Sequence, residues 1–262
     1  MKTLAFATAT AVFVLGSATA SAATIAVLTD DATLTMVDSE TREATGSMDV
    51  TGFDGKLLGI DVRPADGMLY ALGADGTVMS IDPASGAATE VSKLEIAIPE
   101  DAAATVDFNP AADALRIMGS DGTNLRSKID EGTVTEDGAH AFAEADMHAG
   151  ETPNIVAGAY TNSYAGTEAT ALYNIDATIG GLIQQDPPND GTLVAVGKLG
   201  IDGDIGMPAF DILSDGQGGN EAWLLASGTL YSVDLETGAA TEVGTVTGVE
   251  GEVRDMAIMP AM

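Results

Sequence analysis

Four aspartates interrupt otherwise apolar runs in this chain. LGIDVRP, ATVDFNP, PAFDILS and VRDMAIMP place Asp61, Asp107, Asp211 and Asp255 inside segments that read as strands. A carboxylate buried among apolar neighbours is costly to desolvate unless it is partnered. If these segments are equivalent strands around a common axis, their carboxylates meet at one depth. They then raise one another's pKa or recruit a hard cation with oxygen ligands. On that reading Asp61, Asp107, Asp211 and Asp255 are metal ligands, Ca²⁺ is the candidate ion, and Asn109 and Asn162 add neutral oxygens nearby. The alternative is structural: each carboxylate accepts backbone N–H groups at its own repeat boundary.

Two other constellations invite a metal. DGQGGNE, with Asp215, Asn220 and Glu221, and the Asp202-Gly203-Asp204 stretch offer oxygens among glycines, but neither has the spacing of an EF-hand loop. His140, Glu144 and His148 stand at intervals of four within 138–153, GAHAFAEADMHAGETP, which reads as an insertion that includes a short helix. On a helix the three would lie along nearly one face, although H-x3-E-x3-H is not the metalloprotease pattern. Enzyme templates fail: there is no cysteine nucleophile, no G-x-S-x-G elbow and no P-loop or G-x-G-x-x-G stretch. The single tryptophan, Trp223, falls in a second-strand position and reads as core.

The elements that must position these residues recur along the chain. Residues 57–91 read as four short strands, LLGIDV, MLYALG, TVMSID and AATEV, separated by the turn signals P-A-D-G, A-D-G and P-A-S-G. A β-branched residue followed by Asp recurs at Asp38, Asp82, Asp130, Asp176 and Asp234, about every fifty residues, a propeller-blade period. DPASGAATEV at Asp82 and DLETGAATEV at Asp234 are almost the same hairpin, with Gly86 and Gly238 supplying positive φ. Arg42 replaces that glycine in the first copy, so a different turn is expected there. Before Leu57 the chain supplies three strands only: TIAVLT, TLTMVD and EATGSMDV. The missing first strand appears at the C-terminus, over Glu252 to Met259. The expectation is an all-β fold: a five-bladed β-propeller of four-stranded blades, closed by the C-terminal strand completing the first blade.

Composition bounds the rest. Among 262 residues, 40 are acidic and 10 basic, a formal net charge of −30. Such a surface repels nucleic acid and anionic membranes. Met1-Lys2, an apolar run from Leu4 to Leu15 and the small residues Ala20-Ser21-Ala22-Ala23 read as a secretory signal. Residues 1–22 are therefore expected to be removed, leaving 23–262 as one exported, periplasmic or extracellular domain. With no cysteine, burial or a bound ion must hold it together. No other stretch is long and apolar enough to span a bilayer as a helix.

LLGIDVRPADGMLYALG, VDFNPAADALRIMGSDGTNLR, AYTN followed by ALYNID, PPNDGTL leading into VG and LGID, and LYSVDLETGAATEVG together resemble the bacterial family built on the domain of unknown function 4394. The resemblance spans the mature chain. It implies an exported β-propeller-like protein and brings no catalytic residues. The functional expectation is a non-enzymatic binding module for a protein or small-molecule ligand, with a divalent cation helping to hold the channel. The alternative is a metal-dependent hydrolase, lactonase- or phosphoesterase-like, whose channel carboxylates hold the ion.

Overall fold

The computed structural model describes residues 23–95, 98, 102–203 and 205–259; the expected signal segment and Asp204 lie outside them. Among the described residues, twenty-one strands form five sheets, antiparallel throughout except for one short parallel pair. The first sheet contains β1 (Thr24–Thr29), β2 (Thr33–Asp38) and β3 (Ala44–Asp49). The second runs β4 (Leu57–Val62), β5 (Leu69–Gly73), β6 (Thr77–Ile81) and β7 (Ala88–Lys93). The third runs β8 (Ala104–Asn109), β9 (Ala114–Gly119), β10 (Asn124–Lys128) and β11 (Thr133–Glu136). A two-residue strand, β12 (Ala141–Phe142), precedes the fourth: β13 (Ile155–Tyr160), β14 (Leu172–Asp176), β15 (Gly181–Gln185) and β16 (Thr192–Lys198). The fifth runs β17 (Ala209–Ser214), β18 (Asn220–Ala226), β19 (Thr229–Val233) and β20 (Ala240–Thr245). Finally β21 (Val253–Met259) pairs antiparallel with β1, from Thr24↔Met259 to Thr29↔Val253, and supplies the missing strand of the first sheet.

The innermost strands touch in the cycle β21, β4, β8, β13, β17 and back to β21, so the five sheets close a ring. Burial falls from axis to rim. Every residue of β4 is buried, whereas β7 is mostly exposed. A blade strand near the axis is covered on both faces by neighbouring blades, so it reads as a continuous apolar run; the rim strand is half solvated and reads as polar. Apolar clusters fill the boundaries between the blades. Leu28 and Leu34 of the first blade pack with Leu57 and Ile60 of the second, and Leu72 and Val78 of the second with Phe108 and Ile117 of the third.

Two local expectations are corrected. Residues 138–153 form no helix. His140 precedes β12, which pairs in parallel with β16 through Ala141↔Thr192 and Phe142↔Leu193, and His148 lies in the turns that follow. The outer edge of β16 offers unpaired backbone groups, and capping that edge outweighs helix formation in this short segment. The turn at Arg42 is the same as at the glycines: φ is +60° at Arg42, +72° at Gly86 and +77° at Gly238. In each, the backbone N–H bonds to the carbonyl of the Asp four residues earlier, at 2.8, 2.8 and 2.7 Å.

Candidate functional site

An innermost strand has a partner on one side only, so its other edge would leave backbone N–H groups without a strand partner near the axis. The four aspartates meet that need. Asp255 of β21 accepts from Ile60 N of the second blade at 3.0 Å. Asp61 accepts from Phe108 N of the third at 2.7 Å, and Asp107 from Tyr160 N of the fourth at 3.1 Å. Asp211 of the fifth blade accepts from Ile258 N of the first at 2.5 Å. Each carboxylate thus ties its own blade to the next. The joint from the fourth blade to the fifth, where Ala159 stands in place of Asp, is made instead by Asn162 and Asn220: Asn162 N donates to Asn220 Oδ1 at 2.7 Å and Asn220 Nδ2 to Asn162 Oδ1 at 3.1 Å.

The second oxygens differ. Those of Asp61, Asp211 and Asp255 accept from the N–H of the next residue, Val62, Ile212 and Met256, at 2.6, 2.6 and 2.9 Å. Asp107 Oδ2 accepts no hydrogen bond among the described residues. Gly59 lets the Asp255 carboxylate approach β4, because a Cβ there would overlap it. Asp61, Asp107 and Asp211 each offer an oxygen within 4.8 Å of the others; Asp255 stands outside that group.

All four side chains are buried, and desolvation pushes each carboxyl above the usual range, Asp211 to about 6. The charges of its neighbours add to the rise at Asp61 and at Asp107. The described salt bridges include none to these four carboxylates. Backbone N–H groups, protons or a cation are the means left to neutralise them. A cavity of about 330 Å³ opens above Asp61 and Asp211, walled by Pro64, Tyr164, Ile212 and Leu213.

The remaining candidates fall elsewhere. Asp215 turns its carboxylate onto Gln217 N and Gly219 N at 2.7 and 2.8 Å, which closes the DGQGGNE loop on itself. Asn220 serves the Asn162 joint. Asn109 accepts from Ala111 N and Ala112 N at 3.0 and 2.9 Å, so neither Asn109 nor Asn162 directs its side-chain oxygen at the aspartates. His148 contacts Glu151, and the His140–Glu144–His148 face does not form. Trp223 packs in the cluster between the fifth and first blades, as a core residue does.

Five sheets in a closed ring around a carboxylate-lined axis define a β-propeller. The chain belongs to the family of the domain of unknown function DUF4394, whose family model matches residues 33–257. Among solved structures it is similar to a protein of unknown function from Bacteroides thetaiotaomicron VPI-5482, 17% identical, at a TM-score of 0.53; 94% of this chain and 66% of that one are covered. That likeness concerns the fold alone. A protein of unknown function from Bacteroides caccae is 12% identical, at a TM-score of 0.46, with 89% of this chain and 77% of that one covered. No curated protein matches the chain.

Proposed function

We propose that this protein is an exported, non-enzymatic binding module in which Asp61, Asp107 and Asp211 take a divalent cation, Ca²⁺, beneath a ligand cavity. The observation that carries the reading is the convergence of three buried carboxylate oxygens within 4.8 Å. Two oxygens on one Ca²⁺ at about 2.3–2.6 Å lie at most about 5 Å apart, so the spacing suits an ion between them. Asp107 Oδ2, with no hydrogen bond of its own among the described residues, is the freest ligand atom. Export is supported by Lys2, the apolar run and the small residues ending at Ala23.

A second reading, a metal-dependent hydrolase of lactones or phosphoesters, is favoured by the cavity opening directly onto Asp61 and Asp211. An ion held there would face whatever enters.

A thermal melt with chelator, followed by Ca²⁺ titration, tests the proposal. A ligand that binds only the folded state stabilises it by RT ln(1 + [L]/Kd), about 2.7 kcal/mol at a hundredfold excess over Kd. The expected result is a rise in Tm that disappears in the Asp61→Asn/Asp107→Asn double variant. No rise in the wild type would make the aspartates purely structural. Hydrolysis of lactone or phosphoester substrates by the Ca²⁺-loaded protein, absent from the double variant, would select the second reading.

A further inference from the structure

The boundary between the third and fourth blades is built differently from the other four. Met118 is the one side chain of the third blade in the apolar cluster there; its partners belong to the fourth blade and β12. The third blade instead presents a charged row. Asp107 on β8 pairs in register with Arg116 on β9, and Arg116 with Arg126 on β10. Like charges directly opposite on neighbouring strands repel, and a buried guanidinium needs compensation. One carboxylate serves both arginines: Asp137 meets Arg116 Nη1 at 2.6 Å and Arg126 Nε at 2.9 Å.

The two arginines differ in what remains to them. Arg116 is buried and well partnered, with Asn124 Oδ1 at 2.8 Å, Asn189 Oδ1 at 2.7 Å and the Tyr160 hydroxyl at 3.2 Å. The terminal nitrogens of Arg126 donate to nothing among the described residues, and its side chain is 42% exposed. Lys128, two residues along β10, rests its ammonium on the carbonyls of Ala112 and Asp113. Between these groups lies a cavity of about 100 Å³, lined by Asn109, Arg116, Arg126, Lys128, Tyr160 and Asn189. The nearby carboxylates of Asp113 and Asp130 are engaged by Arg63. Asp107 turns inward to Tyr160 N. Three of the chain's 10 basic residues therefore line one small cavity, in a protein of formal net charge −30. Among the described residues Asp137 alone forms salt bridges to Arg116 and Arg126, and Asp130 interacts with Lys128 at longer range.

We propose that this cleft is a binding site for a small oxyanion, free or as the head group of a larger ligand. Arg126 supplies the guanidinium face, Lys128 a point charge at the rim, and Asn109 with Tyr160 further polar contacts. Planar guanidinium groups match carboxylate and phosphate oxygens. The anion would also relieve the opposition of Arg116 and Arg126. The proposal does not require a cation at the channel carboxylates, although Tyr160 bonds to Asp107 through its backbone N–H.

Titration calorimetry and thermal melts with inorganic phosphate test it, at an ionic strength fixed with NaCl so that long-range repulsion is screened. Phosphate is expected to bind and raise Tm. Its affinity should fall about tenfold or more in Arg126→Gln/Lys128→Gln, as loss of charge-assisted bonds implies. Lys128→Gln alone, at an exposed position, keeps the test open if the double variant is poorly folded. A parallel titration with acetate separates ligand classes: binding of acetate as well points to a carboxylate ligand, and binding of phosphate alone to a phosphorylated one. Failure of both to bind, or phosphate binding undiminished in both variants, overturns the proposal.

Discussion

Arg42 holds a left-handed backbone conformation that its counterparts Gly86 and Gly238 adopt without a Cβ penalty. Its guanidinium reaches the Glu40 carbonyl at 2.7 Å, a partial offset. Replacing Arg42 with Gly should remove strain of about 1 kcal/mol and raise the denaturant midpoint; an unchanged or lower midpoint would mean that the Arg42 side chain matters more than its backbone. The residue type at position 42 predicts a different turn, but the shared Asp38 decides the conformation: its carboxylate organises this turn through Glu40 N and Thr41 N as Asp234 does through Glu236 N and Thr237 N. The inner aspartates were legible in the same limited way. Their places within the strands could be read from apolar context, but their acceptors could not. Which N–H each one meets is decided by the neighbouring blade, about fifty residues away, or about two hundred for Asp255 and Ile60.

Among the elements, β21 bears the greatest consequence for its length. It pairs with β1, lies between β17 and β4 on the axis, and brings Asp255 to Ile60. A chain ending at residue 252 should lose cooperative unfolding, and a synthetic peptide of residues 253–259 should restore it by strand addition; circular dichroism melts of the truncated chain with and without peptide would show this. A truncated chain that melts like the whole one would place closure elsewhere. The count of strands before Leu57 and after the fifth blade made this element readable in advance, because a fourfold unit missing its first member needs one supplied from elsewhere. Residues 138–153 were not readable in that way. His140, Glu144 and His148 have helical spacing, yet Ala143 N bonds to Leu193 O and Ala195 N to the Asp146 carboxylate, each at 2.9 Å or less. Those partners lie about fifty residues on, in an edge that only the folded fourth blade creates.

For the molecule as a whole, the buried carboxylates set an unusual pH dependence. Their folded-state pKa values lie above the ordinary carboxylate value of 3.8, that of Asp211 at about 6. The folded protein therefore binds more protons than the unfolded chain between those values, and stability falls as pH rises. Asp211 alone accounts for about 3 kcal/mol between pH 4 and 7. Below pH 4 the sign reverses, because the turn aspartates Asp38, Asp82 and Asp234 are held below the usual range by hydrogen bonds and lose that advantage when protonated. Urea unfolding in chelator should show stability declining from about pH 4 through pH 6, and Ca²⁺ should restore much of the loss at neutral pH. A metal-free protein equally stable at pH 5 and pH 8 would show that the N–H groups alone neutralise the channel.

The joining of β1 to β21 also fixes an order of events in the making of the protein. Residues 24–49 leave the ribosome about two hundred residues before the strand that completes their sheet. Until β21 is made, the first blade has an open inner edge and the ring stays unclosed between the fifth blade and the second. A prematurely terminated chain exposes β1 as an unpaired strand, which makes it a substrate for chaperones and proteases. Only a product translated through residue 259 can hide that edge.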